Sequence, residues 1–416
     1  MLVSVIIPVY NTAKYLARCL DSVGNQLLKD IEILCAYQES TDHSYSILQD
    51  YQKKEPRLKI IPCIGHGLSL ARNQGLRHAQ GEYVFFLDSD DWIANNALSD
   101  LVAVAEQDAL DVVYFDSTVV FEDEIAKSTL KYKSCRTNTY ASIYTGLELF
   151  DAFYKNDDHL VVSWGAIYRR KYLMQCNLLF YEGILHEDVL FYPQVLLSAR
   201  RARCLNQSYY FYYRRMNSIT GHGATTQNIR SMIIVYAELW NFLETSGYWH
   251  HDSVNAYLNG TVYANILGML HTANYTADAL ESLVFDTPSQ AMKFQFLMAT
   301  FSPAHCRPMY KDEIERLKTV PHLIVYGAGV VARDVIQILL AFKVDNFHVA
   351  VTATEAAGTY IGGCPIHAIH EFAKWRENSM VLIAVSQKYQ DEIVATLKEL
   401  GFAHYRYMAK NGLSLA

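Results

Sequence analysis

The chain has 416 residues, of which 51% are apolar and 19% are charged. This composition predicts a packed protein of two or three domains and excludes a disordered chain. The formal net charge of −7 argues against nucleic-acid binding, which usually needs a basic face. Because no signal peptide, CxxC pair or apolar run of about 18 residues is present, we expect reduced thiols and a cytoplasmic protein, with at most peripheral contact at the inner face of a membrane.

Residues 1–222 alternate short apolar strands with helices, which is the pattern of a layered α/β domain. A helix with the apolar face Leu16, Leu20 and Val23 is predicted after Thr12, which can cap it. The predicted strands cover residues 3–7, 31–36 and 83–87. Pro8 is expected to end the first of them.

Two further sections follow in this prediction. Residues 223–320 are expected to be helical, and residues 321–416 restart the α/β pattern. The apolar positions that recur on one helical face of the second section are Ile229, Met232, Ile233, Tyr236 and Leu243. The strands predicted in the third section cover residues 323–326, 347–351 and 380–385.

A glycine fingerprint opens the third section, since Gly327, Gly329 and Ala332 follow a strand and precede a helix. The pattern resembles the Rossmann-like domain of sugar-nucleotide-modifying proteins. After the second strand, however, Thr352 stands where an acid should hold a ribose, and Glu355 comes only later. We therefore expect a structural or assembly domain through which the chain forms homo-oligomers, or a sugar-nucleotide or regulatory site, rather than nicotinamide binding.

Three carboxylates stand at the end of the strand predicted over 83–87, at Asp88, Asp90 and Asp91. Open α/β sheets bind ligands at this edge. Clustered carboxylates repel one another unless a cation compensates, and hard oxygen ligands suit Mg²⁺ or Mn²⁺. The alternative is a solvated acidic turn in which Asp90 or Asp91 caps a helix.

Four segments together resemble the family 2 glycosyltransferases, which have a GT-A fold. They are VSVIIPVYN at 3–11, STDHS at 40–44, GLSLARNQGLRHAQGEYVFFLDSDDW at 67–92 and HEDVLFYPQVL at 186–196. The resemblance covers residues 1–222 and implies an inverting transferase that moves a sugar from a nucleotide-sugar donor onto a hydroxyl group. The expected architecture is an α/β GT-A nucleotide-sugar-binding domain, then a helical section and a small Rossmann-like α/β domain.

The resemblance assigns roles on the donor side of the site. Asp90 would hold Mn²⁺ or Mg²⁺ on the diphosphate, and Asp88 would contact the ribose or the metal. Nucleotide contacts are implied for Pro8, Tyr10, Asn11 and Arg72. The alternative for Pro8 and Asn11 is an ordinary role in a turn, and the alternative for Arg72 is to cap or pair with a helix.

One segment departs from the family pattern. The family usually has DDGSTD or NDGSTD here, with an acid that reads the uracil, whereas residues 36–42 are AYQESTD. Gln38 takes the place of that acid, and Glu39 takes the place of the glycine. The amide of Gln38 can still hydrogen-bond a base edge as donor and acceptor, but uridine specificity is less firmly implied. Asp42 is expected to organise the turn.

The acidic pair after His186, Glu187 and Asp188, opens another apolar stretch. A sugar hydroxyl must lose its proton as it attacks, so a positioned carboxylate base is needed. The resemblance makes Asp188 this base and Glu187 a supporting residue or acceptor contact, while His186 either touches the metal or acceptor or is structural. The alternative is a helix start that favours acids through its dipole.

Three further side chains complete the predicted site. Arg215 lies in YYRRMNSIT at 212–220, which resembles the YYYRxRxxSIT end of the family domain, and its guanidinium can clamp the departing diphosphate. His222 is either a third metal ligand or a packing residue. Trp164 either stacks on an acceptor sugar or packs in the core.

Together these features predict a metal-dependent glycosyltransferase. The expected donor is a UDP-hexose or UDP-N-acetylhexosamine, and the expected acceptor is a surface glycan such as capsule or lipopolysaccharide. The alternative is a sugar-nucleotide-binding regulatory or scaffold protein whose catalytic half is weak or inactive because of Gln38.

Overall fold

The computed structural model forms two compact units, Met1–Thr272 and Ala273–Ala416. Among the described residues, none of the helices combines the length and the hydropathy that a membrane span requires. The structure describes residues 1–129, 132–215, 225–272, 283–287, 289–291, 294, 315–341, 343–352, 358–361, 363–385 and 389–407.

An eight-stranded sheet forms the centre of the first unit. Its strands are β1 (Val3–Val9), β2 (Ile31–Tyr37), β3 (Leu58–Pro62), β4 (Tyr83–Phe86), β5 (Trp92–Ile93), β6 (Val112–Phe121), β7 (Ala166–Arg169) and β8 (Ala202–Arg214). Their order across the sheet is β3-β2-β1-β4-β7-β6-β8-β5. The first four strands pair in parallel, whereas β7 is antiparallel to both of its neighbours. The predicted strands over 31–36 and 83–87 are therefore present as β2 and β4.

Helices surround this sheet and continue after its last strand. They are α1 (Ala13–Gly24), α2 (Ser44–Lys54), α3 (Leu68–His78), α4 (Ala97–Gln107), α5 (Glu124–Thr129), α6 (Gly146–Lys155), α7 (Arg170–Gln175), α8 (Glu187–Ser198), α9 (Thr226–Thr245), α10 (Asp252–Ala256) and α11 (Tyr263–Thr272). A 3₁₀ turn, Tyr248–His250, precedes α10, and a π-helical segment, Tyr257–Val262, follows it. Leu16, Leu20 and Val23 of α1 are buried in the core cluster, which confirms the predicted apolar face.

Pro8 does not end the first strand, as the sequence predicted, but lies inside it. The carbonyl of Ile6 accepts the N–H of Leu87, so Ile6 faces β4, whereas the carbonyl of Val9 accepts the N–H of Gln38 in the direction of β2. Pro8 therefore faces the β4 side, where β4 has already ended. Because no ladder bond is required there, a residue without an N–H is tolerated.

The first helix is capped differently from the prediction. Thr12 occupies the N-cap position of α1, but its side chain makes no capping hydrogen bond. Instead, Asp42 Oδ2 accepts the backbone N–H of Ala13 at 2.9 Å, and Ser44 Oγ accepts the N–H of Thr12 at 3.0 Å. The loop after β2 thus caps the helix after β1, which is the turn-organising role expected of Asp42.

Helix α9 buries the apolar face that the sequence predicts. Its residues on that face are at most 1% exposed: Ile229, Met232, Ile233, Tyr236 and Leu243. Helices α9 to α11 belong to the first compact unit, which ends at Thr272. The division of the chain into 1–222, 223–320 and 321–416 stays a prediction.

The second unit contains a smaller sheet. Its strands are β9 (His322–Tyr326), β10 (Phe347–Val351), β11 (Tyr360–Ile361), β12 (Cys364–Ala368), β13 (Ser379–Ile383) and β14 (Tyr405–Tyr407), and its helical segments are α12 (Val330–Ala341), the 3₁₀ segment Ile369–Trp375 and α13 (Gln390–Glu399). The order is β11-β12-β10-β9-β13-β14, with all pairs parallel except β11 with β12. The three strands predicted in this section are present as β9, β10 and β13.

Steric crowding explains why the first position of the predicted fingerprint is a glycine. Gly327 follows β9 with φ of 137°, and a Cβ there would lie 2.5 Å from the carbonyl oxygen of Ala384. The neighbouring chain after β13 therefore approaches too closely for any side chain at this position. The Rossmann-like character of the unit stays a prediction.

Candidate active site

The carboxyl ends of the parallel strands in the first unit meet at one edge of the sheet, and the predicted donor-side residues follow these ends. Tyr10 and Asn11 come directly after β1, Gln38 after β2, and Asp88 shortly after β4. The topology therefore brings residues that are far apart in sequence to one edge.

The three acids after β4 do not play the same part. Asp91 is fully buried, with its Oδ2 accepting from the Tyr210 hydroxyl and its Oδ1 from the backbone N–H of Tyr213, both at 2.7 Å. The Tyr210 hydroxyl also accepts the backbone N–H of Asp88 at 3.2 Å. Asp91 thus fastens this acid loop, residues 88–91, to β8. The side chains of Asp88 and Asp90 remain 24% and 27% exposed.

Arg72 of α3 joins the two groups of predicted carboxylates. Its Nη2 donates to Asp88 Oδ1 at 2.8 Å and its Nη1 to Glu187 Oε1 at 2.6 Å, although Arg72 is only 2% exposed. Burial works against this charge, but Asp88 and Glu187 outweigh it and raise the pKa of Arg72. Removal of one partner from a buried ion pair strongly destabilises a folded protein, because the other charge stays buried without compensation. The nucleotide contact implied for Arg72 stays a prediction.

Asp188 lies in the first turn of α8, next to Glu187. Its side chain is half-buried, and its Oδ1 accepts the backbone N–H of Val189 at 3.0 Å. Burial, and then the charge of Glu187, raise the pKa of Asp188 to about 7, against the opposing effect of Arg72. A carboxylate with a pKa near neutrality is suited to accept a proton from a hydroxyl group.

The loops after β1 and β2 are tied to each other. Asn11 adopts a positive φ of 51°, its Oδ1 accepts the N–H of Thr41 at 2.8 Å, and its own N–H donates to Ser40 Oγ at 3.1 Å. Beside them, the Tyr10 ring is 50% exposed and meets His66 edge-on, with ring centroids 5.7 Å apart. An open aromatic surface therefore lies at this edge of the sheet.

Gln38 is 4% exposed, and its side-chain amide pairs with the peptide of Gly67. Gln38 Nε2 donates to the Gly67 carbonyl at 2.8 Å, and the Gly67 N–H donates to Gln38 Oε1 at 3.4 Å. Both polar groups of the side chain are thus used to hold the start of α3. The base contact predicted for Gln38 stays a prediction.

Two arginines converge on Asp90. Arg215 Nη2 donates to Asp90 Oδ2 at 3.1 Å, and its guanidinium lies 4.5 Å from the ring centroid of Tyr15. Arg18 Nη2 donates to the backbone carbonyl of Asp90 at 2.9 Å, with its guanidinium 3.7 Å from the ring centroid of Trp92. Cationic groups therefore already surround the acid loop. His222, the predicted third metal ligand, lies outside the described residues.

Two of the remaining predicted residues are held by protein groups. Trp164 is 6% exposed and stacks on Tyr210 with ring centroids 4.1 Å apart, within the core cluster. His186 is half-buried, and its Nε2 lies 3.1 Å from Nδ2 of Asn228. Acceptor contacts for Trp164 and His186 stay predictions.

The chemistry of Asp88 and Asp90 fits a hard divalent cation. Both present carboxylate oxygens, which Mg²⁺ and Mn²⁺ prefer. Burial, followed by the charge of Asp88, raises the pKa of Asp90, and a bound cation would favour the ionised form of Asp90. Within the described ranges no group of three or more His, Cys, Asp or Glu side chains is assembled as a metal site.

Sequence reasoning missed Arg18, Tyr210 and Asn228. Arg18 and Tyr210 touch the acid loop, and Asn228 touches His186, yet each is distant in sequence from its partner. Residues 209–213 are all aromatic, so the sequence does not indicate which hydroxyl meets the acids. No local signal marks Arg18 or Asn228, because their roles depend on tertiary packing.

Among solved structures, the chain resembles residues 1–349 of Staphylococcus aureus TarS in complex with UDP-GlcNAc. The TM-score is 0.50 at 22% identity, over 82% of this chain and 89% of that chain. At this identity the similarity establishes the fold, and it confirms the predicted α/β GT-A fold with a second, small sheet domain.

Sequence comparison also finds similarity to glycosyltransferases over the first part of the chain. Residues 4–176 match the model of glycosyl transferase family 2. The uncharacterized glycosyltransferase EpsJ of Bacillus subtilis is 32% identical over 221 residues, which are 53% of this chain and 63% of EpsJ. Glycosyltransferase GlyA of Streptococcus pneumoniae is 30% identical over 250 residues, 59% of this chain and 35% of GlyA. The chain thus spans less than two thirds of either relative.

Proposed function

We propose that this protein is an inverting glycosyltransferase that transfers a sugar from a nucleotide-diphosphate sugar to a glycan hydroxyl. The observation that carries the proposal is the arrangement around Arg72, whose guanidinium bonds both Asp88 of the acid loop and Glu187, the neighbour of Asp188. One acid of the donor side and the residue next to the candidate base thus share one buried cation. The family 2 match over residues 4–176 supports the same reaction class.

Asp188 is the proposed base. It takes the proton of the acceptor hydroxyl as the oxygen attacks the anomeric carbon, and the nucleotide diphosphate leaves from the opposite side of the sugar. A single displacement of this kind inverts the anomeric centre and needs one base. Because the pKa of Asp188 is raised to about 7, its ionised form can hold the proton that the hydroxyl releases.

Asp88 and Asp90 would hold Mn²⁺ or Mg²⁺, which would neutralise charge on the departing diphosphate. Arg215 is the second cation on this side of the site. Its guanidinium bonds Asp90 and can turn to a diphosphate oxygen, since arginine binds phosphate in a bidentate manner. In this assignment Tyr10 stacks on the base, and Asn11 shapes the loop around it.

We retain the donor and acceptor classes that the sequence implies. The donor is a UDP-hexose or UDP-N-acetylhexosamine, and the TarS structure with this fold holds UDP-GlcNAc, a member of that class. The acceptor is a surface glycan such as capsule or lipopolysaccharide. The second unit is proposed as a Rossmann-like domain for assembly or sugar-nucleotide sensing, which its strand order β12-β10-β9-β13-β14 and Gly327 support.

The test is nucleotide release by the full chain from a panel of nucleotide sugars, with Mn²⁺ or with excess EDTA. We expect release from one donor class in Mn²⁺ alone, and loss of release in Asp90→Asn. The matched control is Asp50→Asn on α2, whose carboxylate pairs with Lys53 at the surface and which should behave as wild type.

Two outcomes would contradict this proposal. Full turnover in excess EDTA would remove the metal from the mechanism. Nucleotide-sugar binding without turnover of any donor and acceptor would instead favour the alternative, a regulatory or scaffold protein that binds sugar nucleotides.

A further inference from the structure

The loop before α8, residues 183–186, is fastened by a helix that lies beyond the predicted catalytic domain. The backbone N–H of Leu185 donates to Ser231 Oγ at 3.0 Å, and Gln227 Nε2 donates to the carbonyl of Gly183 at 3.3 Å. Ser231 has no exposed surface. These bonds join the loop to the first turns of α9, so the position of the loop depends on that helix.

A third bond fixes His186, and its direction can be deduced from the cap of α9. Asn228 Oδ1 accepts the backbone N–H of Thr225 at 2.9 Å, and the Asn228 N–H donates to Thr225 Oγ1 at 3.3 Å. Because the cap uses Oδ1, the amide nitrogen is the group that donates to His186 Nε2 at 3.1 Å. His186 therefore accepts as a neutral imidazole, and burial lowers its pKa in agreement.

His186 needs this support because its backbone is unusual. Its φ of 62° is left-handed, a conformation that residues other than glycine adopt rarely and keep only when their surroundings impose it. His186 is the residue directly before Glu187, where α8 begins. The left-handed turn therefore sets the direction in which α8 starts, and with it the position of Asp188.

A second group after the predicted domain is Tyr257, which interacts electrostatically with the candidate base. Tyr257, which begins the π-helical segment, is 2% exposed, and its hydroxyl has no hydrogen-bond partner among the described residues. Burial, and then the negative charge of Asp188, raise the pKa of Tyr257. Tyr257 thus lies within the electrostatic influence of Asp188 and, like α9, follows the predicted domain 1–222.

We propose that Asn228 and Ser231 are positioning residues, which hold the 183–186 loop and thereby place Asp188 for proton acceptance. The inference rests on the proposed function, in which Asp188 is the base. It extends the active site to helix α9, and it predicts that the chemistry depends on this helix even though α9 need not touch the substrate.

Two variants test this role in the full chain. Ser231→Ala removes the acceptor of the Leu185 N–H. Asn228→Asp keeps the helix cap, since a carboxylate also accepts the Thr225 N–H, but it places an oxygen against His186 Nε2. The control is Glu148→Ala, which removes the equivalent capping box of α6, formed with Thr145.

We expect kcat for transfer to fall about ten- to a hundredfold in both variants, because a misplaced reacting group has effects of this size. The KM for the donor should stay within about twofold, since uniform donor binding is untouched. Hydrogen exchange of the peptide over 183–188 should become faster. Glu148→Ala should lower the Tm by a similar amount and change neither kcat nor this exchange.

Normal kcat in both variants would overturn the inference, whether or not exchange becomes faster. A loss of kcat that Glu148→Ala reproduces at equal loss of Tm would also overturn it, because the effect would then be one of stability. If the wild-type chain transfers no sugar from any donor, the proposed function fails. The exchange measurement then still decides whether α9 holds the loop, and unchanged exchange would overturn the inference.

Discussion

The loop that carries Asp88 and Asp90 and the loop that precedes Asp188 are held in different ways. The acid loop, residues 88–91, follows a buried strand and is fastened to its own sheet through Tyr210 and Tyr213 of β8. The 183–186 loop before Asp188 is fastened from outside the sheet by α9. Arg72 links the acid loop to the start of α8 through Asp88 and Glu187. The acid loop is thus positioned by the sheet that it follows, whereas the 183–186 loop is positioned by a helix from elsewhere in the chain.

The largest expected effect is on the base. Asp188→Asn keeps the shape of the side chain but removes proton acceptance, so kcat should fall by about 10² to 10⁴ while the Kd of the donor nucleotide is kept. In the wild type, the base works when it is ionised. The rate should therefore fall tenfold per pH unit below the raised pKa of about 7 and level off above it.

Steady-state kinetics between pH 5 and 9 check this prediction. Glu187→Gln is the matched comparison, and it should change kcat less than Asp188→Asn does. The reverse ranking would reassign the base to Glu187, and equal loss of donor binding in both variants would mean that the acidic pair only stabilises the start of α8.

The next largest effect is expected when the Arg72 link between Asp88 and Glu187 is removed. Arg72→Met leaves Asp88 and Glu187 without their shared cation, so the free energy of unfolding should fall by about 3–5 kcal/mol. Because Arg72 lowers the pKa of Asp188, its loss should also move the acid limb of the pH–rate profile to higher pH. Urea denaturation measures the first effect and kinetics the second.

Arg77→Met is the control for Arg72→Met. Arg77 lies on the same helix, is 49% exposed and pairs with Glu182 at 3.6 Å, so its loss should cost at most about 1 kcal/mol. Equal losses of stability in the two variants would show that the buried link contributes no more than a surface pair.

A smaller effect separates the acids within one loop. Asp91→Ala removes the acceptor of two buried donors, the Tyr210 hydroxyl and the Tyr213 N–H, and should lower the free energy of unfolding by about 1–3 kcal/mol. Mn²⁺ binding, measured by titration calorimetry, should remain. Asp90→Ala should show the opposite pattern, with stability kept and Mn²⁺ binding lost. Loss of Mn²⁺ binding in a folded Asp91→Ala protein would make Asp91 a metal ligand.

The smallest effect concerns the departure from the family pattern. Gln38→Asp cannot donate to the Gly67 carbonyl, so the start of α3 should loosen and UDP should bind about fivefold more weakly, the size of one hydrogen bond. Gln38→Ala should behave similarly in a calorimetric titration with UDP. Tighter UDP binding by Gln38→Asp would instead show that this position reads the uracil.

Much of the first unit could be predicted from local pattern. Short apolar runs become buried parallel strands, and residues with helical spacing, such as Leu16 and Leu20, become the inner face of α1. The acids after β4 were predictable as a group for the same reason, because a strand end fixes where the following residues emerge. The sequence did not predict which of these acids faces the site, since Asp91 differs from its neighbours only through contacts with β8.

The sequence by itself therefore determined the fold class, the strand ends and the residue types at the candidate site, because apolar periodicity and turn chemistry act over a few residues. Only the tertiary structure decided that Arg72 bonds Asp88 and Glu187, that Gln38 holds Gly67 and that Asn228 holds His186. These contacts join residues 16 to 115 positions apart. Their geometry follows from how whole elements pack, and no local pattern encodes that packing.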